Sequence, residues 1–248
     1  MSVTDEDLYA RASATLLASW AEYARGSPGA SVLRIHGATA AVFPNDPERG
    51  VYNNTLVDRG LAPGRREATI EATEDAYRSA GVDRFAVWVH ESDEGMRSEL
   101  ISRGYSLDEI TRAMSMSLDE LISPTADVEL ERIDWADYIA YLAGIGVPDG
   151  LLSGADPEAF HRLAVRPAGE TVATGLAFDH DGDCGVFNVS TIETRRRRGL
   201  GTAITAELLR EAIGRGCRTA SLQSTAMAER VYASVGFRDL GRIFEFVP

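Results

Sequence analysis

Apolar residues recur at helical spacing through Leu200, Ile204, Leu208, Ala212 and Ile213, and this pattern predicts an amphipathic helix. Gly199 and Gly201 open it, and Gly214 and Gly216 mark its end. The chain before it has shorter periods. A short apolar and acidic strand is expected from about Val128, then a helix around Trp135 to Ala143. Gly, Pro and Asp crowd residues 144 to 157, which read as an irregular loop of the kind that often borders a substrate site. His161 to Val165, Thr171 to Phe178 and Cys184 to Thr191 read as strands, and Asp181-Gly182 reads as a two-residue hairpin turn. After the glycine-bounded helix, Arg218 to Gln223 alternates as a strand, Ala226 to Val235 is helical and Phe237 to Val247 is a closing strand.

Part of this order occurs earlier. A helix at about Arg66 to Ala80, a strand at Arg84 to His90 and a helix at about Gly95 to Ser102 lead to Gly104-Tyr105, as the later strand and helix lead to Gly236-Phe237. Ile101-Ser-Arg-Gly-Tyr105 matches Ala233-Ser-Val-Gly-Phe237 in outline. Two unrelated strand-helix-strand units can share this much. A duplication would divide the chain into 1–123 and 127–248, with a turn-rich linker near Ser123-Pro124-Thr125-Ala126. The expected class is α/β, with mixed twisted sheets, flanking helices and two tandem lobes. Trp88, Met114 and Met116 are expected in the core of the first lobe.

Composition narrows the classes. The 248 residues are 44% hydrophobic and 25% charged, which suits a globular chain with a sizeable core. A net charge of -13 offers no basic face for nucleic acid or an anionic membrane, and all 25 cationic residues are arginine. The acidic start of the chain and the lack of a long apolar run favour a cytoplasmic protein with its two cysteines, Cys184 and Cys217, reduced.

Against that acidic background stands Arg195-Arg196-Arg197-Arg198-Gly199-Leu200-Gly201-Thr202. Four cations and two close glycines at a helix start form an anion site: the glycines admit a ligand to the backbone, and the first-turn N–H groups and helix dipole favour negative charge. The corresponding stretch of the first half, Arg59 to Arg66, contains Pro63 and lacks the glycine pair, so it would hold a phosphate poorly.

The segment resembles the signature of the GCN5-related N-acetyltransferases: Gln or Arg, two residues, Gly, one residue, then Gly or Ala, met here by Arg196 to Gly201. Val231-Tyr232-Ala233-Ser234-Val235-Gly236-Phe237 is similar to the family's terminal segment, and the resemblance covers about residues 128 to 248. It implies acetyl-CoA as co-substrate, with its pyrophosphate on the N–H groups of Arg197, Arg198, Gly199, Leu200, Gly201 and Thr202 behind the signature Arg196. It also implies that the pantetheine arm pairs with the backbone of Thr191 and Ile192, where two strands splay apart. Asn188, Ser190, Gln223 and Ser224 would be the nearest polar groups to the thioester. The expected chemistry is direct attack by an amine in a ternary complex, with Tyr232 as acid for the departing thiolate or else packed beneath its helix. No base stands out: Glu193 reads as solvent-facing, and a water relay or a loop carboxylate such as Asp149 or Asp156 is an equal candidate. Thr225 stands where the family often has Asn, which it replaces only as a helix cap. The implied partner is a small-molecule or peptide amine; a homodimer is compatible. The missing base leaves room for a second reading, a protein that binds acetyl-CoA without turnover.

Other constellations carry less. Gly199 to Ile204 lacks the third glycine of a dinucleotide fingerprint, and no Lys follows the glycines as a Walker loop needs. Asp179, Asp181 and Asp183 lack a calcium loop's later ligands and read as a solvated hairpin. His36, His90, His161 and His180 are scattered, so no metal is expected, and the cysteines read as small buried hydrophobes.

Overall fold

The structure is a computed structural model describing residues 3–45, 52–122, 128–147, 152 and 154–248. Its elements follow the chain as α1 (Asp5–Arg25), β1 (Ser31–Ile35), β2 (Ala38–Val42), β3 (Asn54–Val57), α2 (Arg66–Ser79), β4 (Ala86–His90), α3 (Glu94–Ser102) and β5 (Ser106–Ser117). Then come β6 (Glu131–Arg132), α4 (Trp135–Gly144), β7 (Phe160–Val165), β8 (Ala173–His180), β9 (Asp183–Thr191), α5 (Leu200–Arg215), β10 (Thr219–Ser224), α6 (Glu229–Ala233) and β11 (Arg238–Val247).

The chain folds into two compact units. Unit one is Met1–Ser19, Ala113–Asp149 and Asp156–Leu240; unit two is Trp20–Arg112, Gly150–Ala155 and Gly241–Pro248. The unit boundaries fall within β5, between Arg112 and Ala113, and within β11, between Leu240 and Gly241. In unit one, strands follow the order β5-β10-β9-β8-β7-β6, with β9 and β10 parallel. Unit two has the order β1-β2-β3-β4-β11, with β3 and β4 parallel. A helix crosses over between the strands of each parallel pair, α5 in unit one and α2 in unit two, as parallel neighbours require.

Helix α5 forms where the apolar period places it. Ala203, Ile204, Ala206, Leu208, Leu209 and Ala212 are buried, and Gly216, at φ 99, ends the helix in the left-handed region. The helix lies so close to β8 that a Cβ on Gly175 would come within 2.5 Å of Ile204 Cγ2. Asp181 and Gly182 take φ 46 and 78, the backbone of a tight hairpin.

Several expectations are corrected. Met114 and Met116 belong to the core of unit one with Leu163, Ile204 and Leu222, because β5 runs on past Arg112 and its last residues sit beside β10. Trp88 does pack in unit two, edge-on to Trp20 at 5.6 Å. Asp183 is no solvated hairpin residue. It is 1% exposed, and its carboxylate accepts from Thr15 Oγ1 (2.8 Å), Thr219 Oγ1 (2.7 Å) and Ser221 Oγ (2.6 Å), which replace the lost water. The last helix is shorter than its pattern: residues 226–228 form a turn closed by Ala228 N–H on the Thr225 carbonyl at 3.0 Å. The linker expected at 123–126 lies outside the described residues.

Candidate active site

All the expected site residues belong to unit one. Strand β9 shapes the site. On one side it pairs with β8 as Thr174↔Ser190 and Leu176↔Phe187, so Gly175 of β8 faces both Asn188 and Val189 of β9 and one extra residue is inserted. Asn188 lies in that bulge at φ 49, a left-handed conformation that Asn tolerates better than most residues. On the other side β9 pairs with β10 only through Asp183, Cys184 and Gly185. Beyond Gly185 and Ser221 no register joins them. Both strands run towards this open end, which carries Asn188 to Thr191 on one flank and Gln223 and Ser224 on the other.

The loop from β9 to α5 is tightly held at its base. Ile192 N–H donates to Val172 O at 3.0 Å, and its carbonyl accepts from Arg195 N–H at 2.9 Å. Ladder alternation then turns the Thr191 backbone away from β8. Arg196 Nε donates to the Thr191 carbonyl at 3.2 Å, which anchors the signature arginine against the strand. Arg197 follows at φ 60 and Gly199 at φ 77, a pair of left-handed residues that turn the chain into α5. No side chain caps that helix. Its first-turn N–H groups have no intrahelical partner. Among the described residues no carboxylate pairs with Arg195, Arg196, Arg197 or Arg198, so their charge is uncompensated. Gly201 is helical, and a Cβ there would meet Val189 Cγ1 at 3.5 Å and Val231 Cγ1 at 3.8 Å, ordinary contacts. Protein packing does not demand this glycine.

Tyr232 is buried in α6, its ring edge-on to Phe237 with centroids 6.0 Å apart. Burial pushes its hydroxyl up to about 12. Among the described residues that hydroxyl has no hydrogen-bond partner. Ser224 is buried, and its hydroxyl donates to the Thr225 carbonyl at 2.8 Å; Gln223 is half-buried. Glu193 is exposed in a short 3-10 turn, Glu193–Arg195. Asp156 is also exposed and caps the turn at Pro157 by accepting from Glu158 N–H at 3.0 Å. Asp149 lies outside the described residues.

Two aromatic residues of α4 were not singled out from sequence. Tyr141 accepts a hydrogen bond from Ser190 Oγ at 3.3 Å, and Ser190 lies 3.3 Å from Thr174 Oγ1. Burial raises the Tyr141 hydroxyl, while Arg196 and the Ser190 bond oppose that rise. Tyr138, one turn earlier, is fully buried. Their spacing of three residues on a helix was the available signal, though it is also the spacing of plain core residues. The cysteines are buried, and burial pushes Cys217 up to about 12 and Cys184 higher than usual too, which leaves both inert as nucleophiles at neutral pH. Among the described residues no group of three His, Cys, Asp or Glu could hold a metal ion, and no helix is long and apolar enough to cross a membrane.

Residues 121–237 match the family of GNAT acetyltransferases. This part of the chain is a GNAT-family domain. The membership makes it an acyltransferase, and it fits the uncapped helix, the bulged strand and the open strand pair. Solved structures agree in fold. A GCN5-related N-acetyltransferase from Kribbella flavida superposes with a TM-score of 0.74 at 17% identity, covering 100% of this chain and 96% of that one. A GCN5-related N-acetyltransferase from Sphaerobacter thermophilus gives 0.59 at 18% identity, covering 86% and 80%. A tandem GNAT protein from the clavulanic acid biosynthesis pathway gives 0.60 at 13% identity, covering 100% and 96%. No curated protein sequence matches the chain.

Proposed function

We propose that unit one transfers an acetyl group from acetyl-CoA directly to an amine. The observation that carries this reading is the uncapped start of α5, with left-handed Gly199, packing-free Gly201 and unpaired arginines beside the open ends of β9 and β10. The pyrophosphate is assigned to the N–H groups from Arg197 to Thr202, where dipole and charge both favour an anion. The pantetheine is assigned to the outward backbone of Thr191 as an added strand. Ile192 contributes less to that pairing than its sequence position implies, since Val172 and Arg195 already engage its N–H and carbonyl.

The reaction needs no covalent enzyme intermediate. A neutral amine attacks the thioester carbonyl, and the oxyanion is held by a backbone N–H of the β9 bulge. Collapse breaks the carbon–sulfur bond, and the thiolate takes the Tyr232 proton. The attacking nitrogen loses its proton to water, and the phenolate recovers one from solvent. Tyr232 suits this role because burial keeps it protonated.

Unit two is assigned as a degenerate copy. Gly104 (φ 92) and Gly236 (φ 113) end matching helices, and Tyr105 N–H bonds Leu100 O at 3.0 Å as Phe237 N–H bonds Tyr232 O at 3.2 Å. Leu100 therefore stands where unit one has its tyrosine. Helix α2 starts after Arg65 at φ -105, without a left-handed glycine. A panel of amines, amino acids, antibiotics and peptides, read by release of free CoA thiol, tests the reading. Acetyl-CoA binding with no thiol release from any acceptor would favour a non-catalytic sensor instead.

A further inference from the structure

Thr174, Ser190 and Tyr141 form a chain of hydroxyls with a definite direction. Thr174 is 0% exposed, and its hydroxyl lies 3.3 Å from Ser190 Oγ. Ser190 gives its single proton to the Tyr141 hydroxyl at 3.3 Å, so from Thr174 it accepts. The last proton of the chain, on the Tyr141 phenol, has no acceptor among the described residues. Tyr141 is only 9% exposed, and a buried donor left without a partner is costly. Hydroxyls that each accept from the one behind also strengthen the final donor. The same direction excludes a proton relay inward from the attacking amine, because Thr174 is buried and passes nothing on among the described residues. Ser190 flanks the open end of β9, beside the bulge that holds Asn188 and before Thr191, whose backbone turns away from β8. The unspent proton is thus one hydrogen bond away from the strand assigned to the thioester and its pantetheine.

We propose that the Tyr141 hydroxyl donates to the thioester oxygen of acetyl-CoA, as a second oxyanion donor beside the bulge N–H, and that Ser190 and Thr174 aim it. Of the atoms the reaction brings to this strand end, the thioester oxygen is the one that gains negative charge as the amine attacks. A phenol proton given to the attacking nitrogen would instead occupy its lone pair. Tyr141 makes and breaks no covalent bond: its proton stays on the phenol while the tetrahedral intermediate forms and collapses. Burial raises the phenol, so it keeps that proton at neutral pH. Tyr141 is therefore a catalytic residue, and Ser190 and Thr174 are positioning residues. The inference rests on the acetyl-CoA reading of the same site.

The test uses the full chain with acetyl-CoA carrying carbon-12 or carbon-13 at the carbonyl, and the infrared difference reads the carbonyl stretch of the bound thioester. Loss of a hydrogen bond moves that stretch to higher frequency. Tyr141→Phe removes only the hydroxyl and is expected to bind acetyl-CoA with its stretch above the wild-type position. Ser190→Ala leaves the phenol in place without its guide and should give a smaller displacement in the same direction, which Ser190→Thr should restore. With any amine that the thiol-release panel finds active, Tyr141→Phe should lower kcat about a hundredfold at an acceptor KM within about twofold of wild type, the mark of a bond made in the transition state. Ser190→Ala should lower kcat about threefold to tenfold, the scale of one neutral hydrogen bond. The Ser190 pair keeps the test alive if Tyr141→Phe does not fold. A wild-type stretch in folded Tyr141→Phe or Ser190→Ala overturns the donor. So does a raised acceptor KM at unchanged kcat, which would put the hydroxyl on the amine substrate. Absence of acetyl-CoA binding by the wild-type protein overturns the cofactor reading and the donor with it.

Discussion

Replacing Gly201 with alanine separates ligand binding from folding. The new Cβ would sit 3.5 Å from Val189 Cγ1 and 3.8 Å from Val231 Cγ1, so the protein can accept it without movement. Glycine inside a helix costs about 0.5–1 kcal/mol relative to alanine, so the variant is expected to melt at the same temperature as wild type or a few degrees higher. Binding should move the other way. A methyl group at the first turn keeps a pyrophosphate off one or two backbone N–H groups, each worth about 1.5–3 kcal/mol to a charged partner. Losing one such bond weakens acetyl-CoA about tenfold to a hundredfold. Calorimetric titration of acetyl-CoA beside a thermal melt reads both quantities from the same sample. Gly175→Ala is the contrast: its Cβ would lie 2.5 Å from Ile204 Cγ2, so it should lose about 1–3 kcal/mol of stability through overpacking. A folded Gly201→Ala protein with wild-type affinity would refute the pyrophosphate assignment.

Tyr232→Phe should leave acetyl-CoA affinity unchanged and slow turnover about a hundredfold, the scale of general acid catalysis, and steady-state kinetics would read it. The same residue constrains pH dependence. Raised to about 12 by burial, Tyr232 remains the protonated acid through about pH 10, so the kcat/KM profile should show no alkaline loss below that value, and Tyr232→Phe should not alter its shape there. The linkage has a definite sign: protonation of Tyr232 favours the folded state fully below about pH 10, and that contribution is lost as pH rises towards about 12. Asp183→Ala strands three hydroxyl donors and should cost about 3 kcal/mol in denaturant unfolding.

Unit one was legible where a local rule and the tertiary environment agreed. Leu200, Ile204 and Leu208 face one core, and the flanking glycines have the positive φ values that a sharp start and stop require. The start of the chain was opaque. Strand β2 is Ala-Thr-Ala-Ala-Val, buried throughout, so it has no alternation to read, and α1 is rich in small and charged residues that blur its apolar face. Asp183 misled for another reason: its hydroxyl partners lie 36 to 168 residues away in sequence, where no local pattern reaches. The cofactor side of the candidate site consists of contiguous residues at fixed spacing. The bulge at Asn188 depends on how β8 and β9 pair, and the Tyr141–Ser190 hydrogen bond on how α4 meets β9, which only the folded chain determines.

Unit two combines Trp20–Arg112 with Gly241–Pro248, which has a consequence during synthesis. Strand β4 pairs with β11 through His90↔Ile243 and Val87↔Phe246, so the sheet of unit two is complete only after residues 243–246 leave the ribosome. Folding from the amino end, domain by domain, is therefore closed to this protein. Until residue 246 emerges, β4 presents an open edge that could recruit a strand from another nascent copy.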